Sequence, residues 1–432
     1  MSEKINVVLP QKYDLVVGDT FQLFYRGIVD APNPFCYDIL SICEKGRNYP
    51  RYFEFLPEEA GEFKLTVYVY GANKVLLGKG ETLLCVAEPK APTKPLNVLC
   101  IGDSLTAGGI WPEEVLRRLT ATDGEPKGLG FSDINFIGTC KKGDAGYEGY
   151  GGWRWESYFP TSVNAMWVVS KINDKTIEDQ HSLWKDENGN IWQLETIADD
   201  YLKFNRYLEH DGARPESGVL VHYKNAKNTS PITIDSSSTE KKSPFYDEET
   251  NKISFSTYCK RNGFSGIDAV YIFLGANGRI EAYMAGLTNE EHCKNLAEKG
   301  KNFVRLIHEE YPNAKINIMG LFVPSVNGGM GASYGAQLPY CDYYDFVRFV
   351  MELNKAYEEW TLLPEFRDYT EFVNTSGQFD SDNNMPNTEK SVNTRNKKTE
   401  IIGTNGVHPL PEGYLQIADA VFRNLVHLCK EL

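Results

Sequence analysis

The sequence predicts an α/β fold in which a parallel sheet carries helices on both faces, preceded by a small all-β domain of immunoglobulin-like size. Two observations carry this. From residue 97 onward, short apolar runs alternate with stretches of helical period, the pattern of strand–helix–strand units. Before residue 90, apolar residues recur at every second position and no helical pattern interrupts them.

Within residues 1–90, the run from Val16 to Tyr25 reads as one strand. Phe63, Leu65, Val67 and Val69 mark another, joined through a turn at Gly71-Ala72-Asn73-Lys74 to a third from Val75 to Cys85. This domain is expected to cover one face of the next. Residues 91–96 form a stiff Pro-rich linker. Residues 97–432 then give strands at Val98–Gly102, Ile134–Gly138, Ala269–Leu274, Lys315–Leu321 and Tyr369–Val373. A helix is expected near Pro112 to Leu119. Another opens on the capping box of Thr288 and Glu291, with Leu296, Phe303 and Ile307 as its apolar stripe. Two polar insertions interrupt this domain, at about residues 154–265 and 374–400. The first carries Trp155, Trp167, Trp184 and Trp192. Their rings either line a cleft, where flat faces suit sugars, or form the insertion's own core.

Residues 98–105 read Val-Leu-Cys-Ile-Gly-Asp-Ser-Leu. A serine at the carboxyl end of a buried strand, just before a helix, has its hydroxyl raised into the crevice where open α/β sheets bind ligands. Backbone N–H groups of the next turn then face a developing oxyanion. A strand-to-loop turn with a capping serine reads the same way in isolation. Three further blocks follow in order: Glu148-Gly149-Tyr150-Gly151-Gly152-Trp153, then Gly275-Ala276-Asn277-Gly278, then Thr404-Asn405-Gly406-Val407-His408-Pro409 ahead of a helical run.

Together the blocks resemble the SGNH/GDSL hydrolases, serine esterases with a flavodoxin-like three-layer α/β/α fold. The resemblance implies Ser104 as nucleophile, His408 as general base, and an oxyanion hole formed by Ser104, Gly152 and Asn277. Asp103, Trp153, Gly275 and Ser333 are further candidates for contact with the substrate. The chemistry is consistent with this, because a serine hydroxyl needs an imidazole to take its proton and the tetrahedral intermediate needs donors aimed at its oxygen.

The chain departs from the family pattern at two positions. Asn405 stands at the third catalytic position, where an aspartate usually orients the histidine, and Gly278 follows Asn277 where an aspartate is common. An amide can hold a ring in place but cannot stabilise the imidazolium by charge. In the serine-protease triad, Asp to Asn costs about four orders of magnitude in turnover. Either a backbone carbonyl orients His408 or another carboxylate does; Asp380, Asp382 and Glu412 are the candidates by position. Ser333, within Gly331-Ala332-Ser333-Tyr334-Gly335, fits the nucleophile-elbow pattern of α/β-hydrolases. That elbow needs a strand directly before it and a helix directly after, and neither is present. The loop reads as a wall beside the substrate or a flexible connection.

A formal charge of −14 disfavours nucleic acid and anionic membrane surfaces as partners. No run reaches the ~18 apolar residues of a membrane span. The start Met-Ser-Glu-Lys lacks the apolar core of a signal peptide, so a cytoplasmic location is expected. Nine cysteines and seven histidines are scattered without metal-ligand spacing, and no metal or other cofactor is expected. The oligomeric state is open, with a homodimer as one option.

The accessory β domain, the aromatic insertion and the Gly-Gly-Trp block resemble carbohydrate-esterase members of the family more than its lipases. The implied activity is hydrolysis of O-acyl, foremost O-acetyl, esters on a carbohydrate. A lysophospholipase or thioesterase of the same family is one alternative. A catalytically weak carbohydrate-binding relative, suggested by Asn405 and Gly278, is another.

Overall fold

The computed structural model describes residues 4–159, 166–170, 182–197, 201–208, 218–224, 231–234, 243–279, 282, 286–324, 328–332 and 343–430. The fold is mixed α/β, in two compact units. Residues 1–151, 264–275 and 287–432 form the first, and residues 152–263 with 276–286 the second.

The first unit begins with seven strands: β1 (Lys12–Val16), β2 (Phe21–Phe24), β3 (Asp38–Ile42), β4 (Arg47–Asn48), β5 (Tyr52–Phe55), β6 (Gly61–Tyr70) and β7 (Leu76–Ala87). They form a four-stranded sheet ordered β1-β7-β6-β3 and a three-stranded sheet ordered β2-β5-β4. Alternate residues of these strands make one core: Leu15, Phe21, Leu23, Phe53, Phe55, Leu65, Val67 and Val69 are all buried. The single strand expected from Val16 to Tyr25 is two strands in different sheets. The chain turns between them, with Gly18 at φ +80° and the Asp19 N–H donating to Val16 O at 3.0 Å. The turn at residues 71–74 is closed by Gly71 N–H donating to Val75 O at 2.9 Å.

The α/β part follows: β8 (Leu96–Gly102), α1 (Ser104–Ala107), α2 (Ile110–Thr120), β9 (Ile134–Ile137), β10 (Cys140–Lys142), β11 (Ala145–Gly149), β12 (Ala269–Phe273), α3 (Asn289–Glu310), β13 (Lys315–Met319), α4 (Tyr343–Thr361), β14 (Thr370–Val373), β15 (Asn387–Asn393), β16 (Asn396–Gly403) and α5 (Pro411–Leu428). β9 and β11 share one edge of β8, and β12, β13 and β14 continue in parallel from its other edge. Every residue of β8 and β12 is buried, which is why both read as unbroken apolar runs. The chain leaves β8 first toward one side and then toward the other. In open α/β sheets such a reversal is where ligands bind, at the carboxyl ends of the strands, and Ser104 follows β8 at that end. The α3 capping box forms as expected, with Glu291 N–H donating to Thr288 Oγ1 at 3.2 Å and Thr288 N–H to Glu291 Oε2 at 2.9 Å.

The second unit has more regular structure than its sequence suggests. The strands Met166–Ser170, Tyr201–Leu208, Ile191–Ile197, Leu183–Lys185, Gly218–Lys224 and Ile232–Ile234 pair in that order as an antiparallel sheet. Trp184 and Trp192 lie in its core with Leu194, Leu202, Phe204 and Leu220. Their indole N–H groups donate to Ser182 Oγ at 2.8 Å and Asp186 Oδ2 at 2.9 Å, which satisfies the one polar atom each ring carries. Trp155 is buried as well. Of the two readings of the insertion's tryptophans, core packing holds for these three. The Trp167 side chain lies outside the described residues.

Candidate active site

Ser104 is the first residue of α1, and it is held there by its neighbour. Asp103 caps the helix: its carboxylate accepts from Leu105 N–H at 2.9 Å, and its carbonyl accepts from Thr106 and Ala107, both at 3.0 Å. Asp103 is fully buried, so it supports the turn instead of meeting substrate as the sequence suggested. Among the described residues, the Ser104 N–H donates to nothing, as the first N–H groups of a helix leave free.

His408 reaches this serine from 304 positions along the chain, with Nε2 2.8 Å from Ser104 Oγ. In the tautomer protonated on Nδ1, Nε2 accepts the hydroxyl proton, as a general base does. The loop that carries it is shaped by Asn405. The Asn405 Oδ1 accepts from Val407 N–H at 2.8 Å and from His408 N–H at 2.9 Å, so this side chain folds the loop backbone. That is its place in the structure, in contrast to the third catalytic position expected of it. Of the carboxylates considered as substitutes, two are paired with arginines. Asp380 accepts from Arg51 Nη1 at 2.9 Å and Nη2 at 3.2 Å, and Asp382 accepts from Arg26 Nε at 2.6 Å. Glu412 is exposed on the first turn of α5.

The loop also has a wall behind it. An ideal Cβ on Gly406 would lie 2.6 Å from Met330 N, and one on Gly329 would lie 2.6 Å from Asn405 O. Two glycines thus let the loop at 328–332 press backbone to backbone on the histidine loop. Ser333 lies just outside the described residues. Gly275, expected at the substrate, follows β12 in a left-handed conformation at φ +124°, where a Cβ would meet Tyr357 Oη at 2.7 Å. Its requirement is packing against α4.

The chain from β11 reaches the same end of β8. Tyr150 N–H donates to Gly102 O at 3.1 Å. Glu148, fully buried, accepts from Thr139 N–H at 2.7 Å, Thr139 Oγ1 at 2.9 Å and Tyr150 Oη. Burial and the Glu148 carboxylate beside it push the Tyr150 phenol far up. Sequence reasoning passed over this knot, because a glutamate in a glycine-rich block carries no signal of burial.

Comparisons with known proteins add little to this geometry. No family model matches the chain, and no curated protein matches it. Similar solved structures include a carbohydrate esterase family 3 structure from Talaromyces cellulolyticus, 12% identical, covering 78% of this chain and 99% of that one at a TM-score of 0.37. A carbohydrate acetylesterase family member from Sinorhizobium meliloti is 12% identical over 78% and 100% of the two chains, at 0.35. An acetyl xylan esterase from the rumen bacterium Butyrivibrio proteoclasticus is 11% identical over 100% and 98%, at 0.32. Likenesses this distant carry no argument about fold or activity.

Gly152 and Asn277, the expected oxyanion donors, both belong to the second unit. There, Asn277 Nδ2 donates to Trp153 O at 3.0 Å, which brings the two blocks together. The Trp153 ring is 2% exposed and packs edge-on against Tyr158 with centroids 4.8 Å apart, so it offers no open face to a substrate. Among the described residues, no group of histidine, cysteine, aspartate or glutamate could hold a metal ion. Among the same residues, no helix is long and apolar enough to cross a membrane.

Proposed function

We propose that the protein is a serine carboxylic ester hydrolase of the SGNH/GDSL type, with a flavodoxin-like three-layer catalytic domain preceded by an immunoglobulin-like β domain. The 2.8 Å contact between Ser104 Oγ and His408 Nε2 carries this reading. Support comes from the Ser104 N–H, which has no acceptor among the described residues, and from the place of Ser104 at the reversal of strand order, where open α/β sheets bind ligands.

In this proposal His408 Nε2 takes the hydroxyl proton as Ser104 Oγ attacks the acyl carbon. The oxyanion receives the Ser104 N–H, and collapse expels the alcohol with the proton returned from the imidazolium. Water, deprotonated by the same imidazole, then releases the acid. The O-acetyl group and the carbohydrate rest on the family resemblance alone, since the described tryptophans of the insertion are buried. The test is the initial rate on p-nitrophenyl acetate, on longer acyl chains and on acetylated oligosaccharides. Ser104→Ala is expected to abolish hydrolysis and leave the melting temperature near that of the wild type, because a half-buried hydroxyl contributes little to the core. Near wild-type turnover in this variant overturns the proposal.

A further inference from the structure

The residues on either side of His408 are anchored by the segment at 380–386. Leu410 N–H donates to Asn384 O at 2.9 Å, and Thr404 N–H donates to Pro386 O at 2.9 Å. Gln416 Oε1, one turn into α5, accepts from Asp380 N–H at 2.8 Å and Asn384 Nδ2 at 2.7 Å. This segment is itself held by two arginines of the N-terminal β region. Arg51, between β4 and β5, forks onto both carboxylate oxygens of Asp380, with Nη1 also 3.5 Å from Asp382 Oδ2. Arg26, just after β2 and 4% exposed, donates from Nε to Asp382 Oδ1 at 2.6 Å and from Nη1 to Tyr343 Oη at 2.9 Å. The backbone beside Arg26 is in equally close contact, because Ser376 Oγ donates to Gly27 O at 2.9 Å.

We infer that Arg26 and Arg51 are positioning residues for His408, so the β region is part of the catalytic apparatus and not only a cover. Asp380 and Asp382 are two carboxylates separated by one residue, and nothing in their own segment is cationic. The arginines neutralise both and, through two-point hydrogen bonding, fix their direction. With the arginines in place, the 380–386 backbone presents Asn384 O and Pro386 O as fixed acceptors on both sides of the histidine. Without them, like charges repel, the segment relaxes, and the imidazole loses its register with Ser104. A displacement of about an ångström is enough to cost on the order of a hundredfold in rate.

The consequence for rate rests on the esterase reading; the consequence for the imidazole does not. Arg51→Met is the first test, since this side chain is partly exposed and its loss leaves the core intact. Expected results are a fall of about ten- to a hundredfold in kcat on p-nitrophenyl acetate with KM unchanged, and partial recovery in Arg51→Lys, which restores the charge but not the fork. Arg26→Lys, which keeps the buried charge, is expected to lower kcat in the same way. In parallel, the ring resonances of His408, assigned by difference with His408→Gln, are expected to shift in Arg51→Met while those of His427 stay in place. A folded Arg51→Met protein with wild-type kcat, with only KM raised, or with unmoved His408 resonances overturns the inference. Were the wild type inactive on every ester, the resonances would still decide it.

Discussion

Asn405 stands three residues before His408, and its two hydrogen bonds to the loop backbone make its role measurable. Aspartate offers the same acceptor to the same N–H groups, so Asn405→Asp is expected to change kcat/KM by less than about tenfold. Alanine removes both bonds, and Asn405→Ala is expected to cost about 1 kcal/mol of stability, as loss of a comparable cap does, with lower turnover. Thermal melts and pH–rate profiles on one activated ester check both. A gain of several orders of magnitude in the aspartate variant would mean that the His408 imidazolium lacks support in the wild type. The 2.8 Å pairing of Ser104 with His408 was foreseeable because their blocks stand in the order of the family the sequence resembles. The work done by Asp103 and Asn405 was not, because side chains that bond their own backbone look the same in sequence as side chains facing a ligand.

The histidine loop and the loop at 328–332 act as one element, since neither has room for a Cβ where they meet. Gly406→Ala forces a carbon to within 2.6 Å of Met330 N, and backbone must move to relieve it. The expected cost is about 1–3 kcal/mol, with a larger proportional loss in kcat than in binding. Calorimetry together with steady-state kinetics checks this, and an unchanged kcat would show that the loop absorbs the strain without moving the base. Elements with continuous burial, such as β8 and β12, were readable because nothing polar dilutes their apolar runs. So was α3, whose capping box is local. The sheet of the second unit escaped notice because its strands are short and joined by polar turns, such as the one from Asp186 to Asn190 whose polar groups are buried. The 380–386 segment escaped because the partners that explain its acidic residues are more than 300 positions away.

Across the first unit, the β region and the α/β part share a buried charge network centred on Asp19. Its carboxylate takes Arg423 Nε at 2.5 Å and Arg118 Nη2, while Arg118 Nη1 also donates to Asp419 at 2.6 Å and its guanidinium lies over the Phe422 ring. Burial alone would raise Asp19, but Arg423 and Arg118 outweigh it and hold the carboxyl below its ordinary value. A group depressed in this way stabilises the fold above its unfolded pKa of about 3.9 and loses that contribution as pH falls through the folded value. Asp419 is shifted upward by its own burial, so the share of Asp19 is the difference between wild type and Asp19→Asn, where Asp419 remains. Asp19→Asn is expected to cost about 3–5 kcal/mol at neutral pH and to flatten the acid limb of the stability profile. Denaturant melts from pH 3 to 7 measure both, and parallel acid limbs would remove Asp19 from the account. The network also sets an order of events during synthesis. Asp19 and Arg423 lie 404 positions apart, and two neighbouring contacts span still more, Asp14 with Asn424 at 410 and Leu15 with His427 at 412. The strands of the β region can pair among themselves, and Asp19 with Arg118, well before the Arg423 partner on α5 leaves the ribosome. A nascent chain arrested before residue 411 would therefore leave Asp19 with Arg118 alone and Asp14 without Asn424, so α5 is the element that closes the β region against the α/β part.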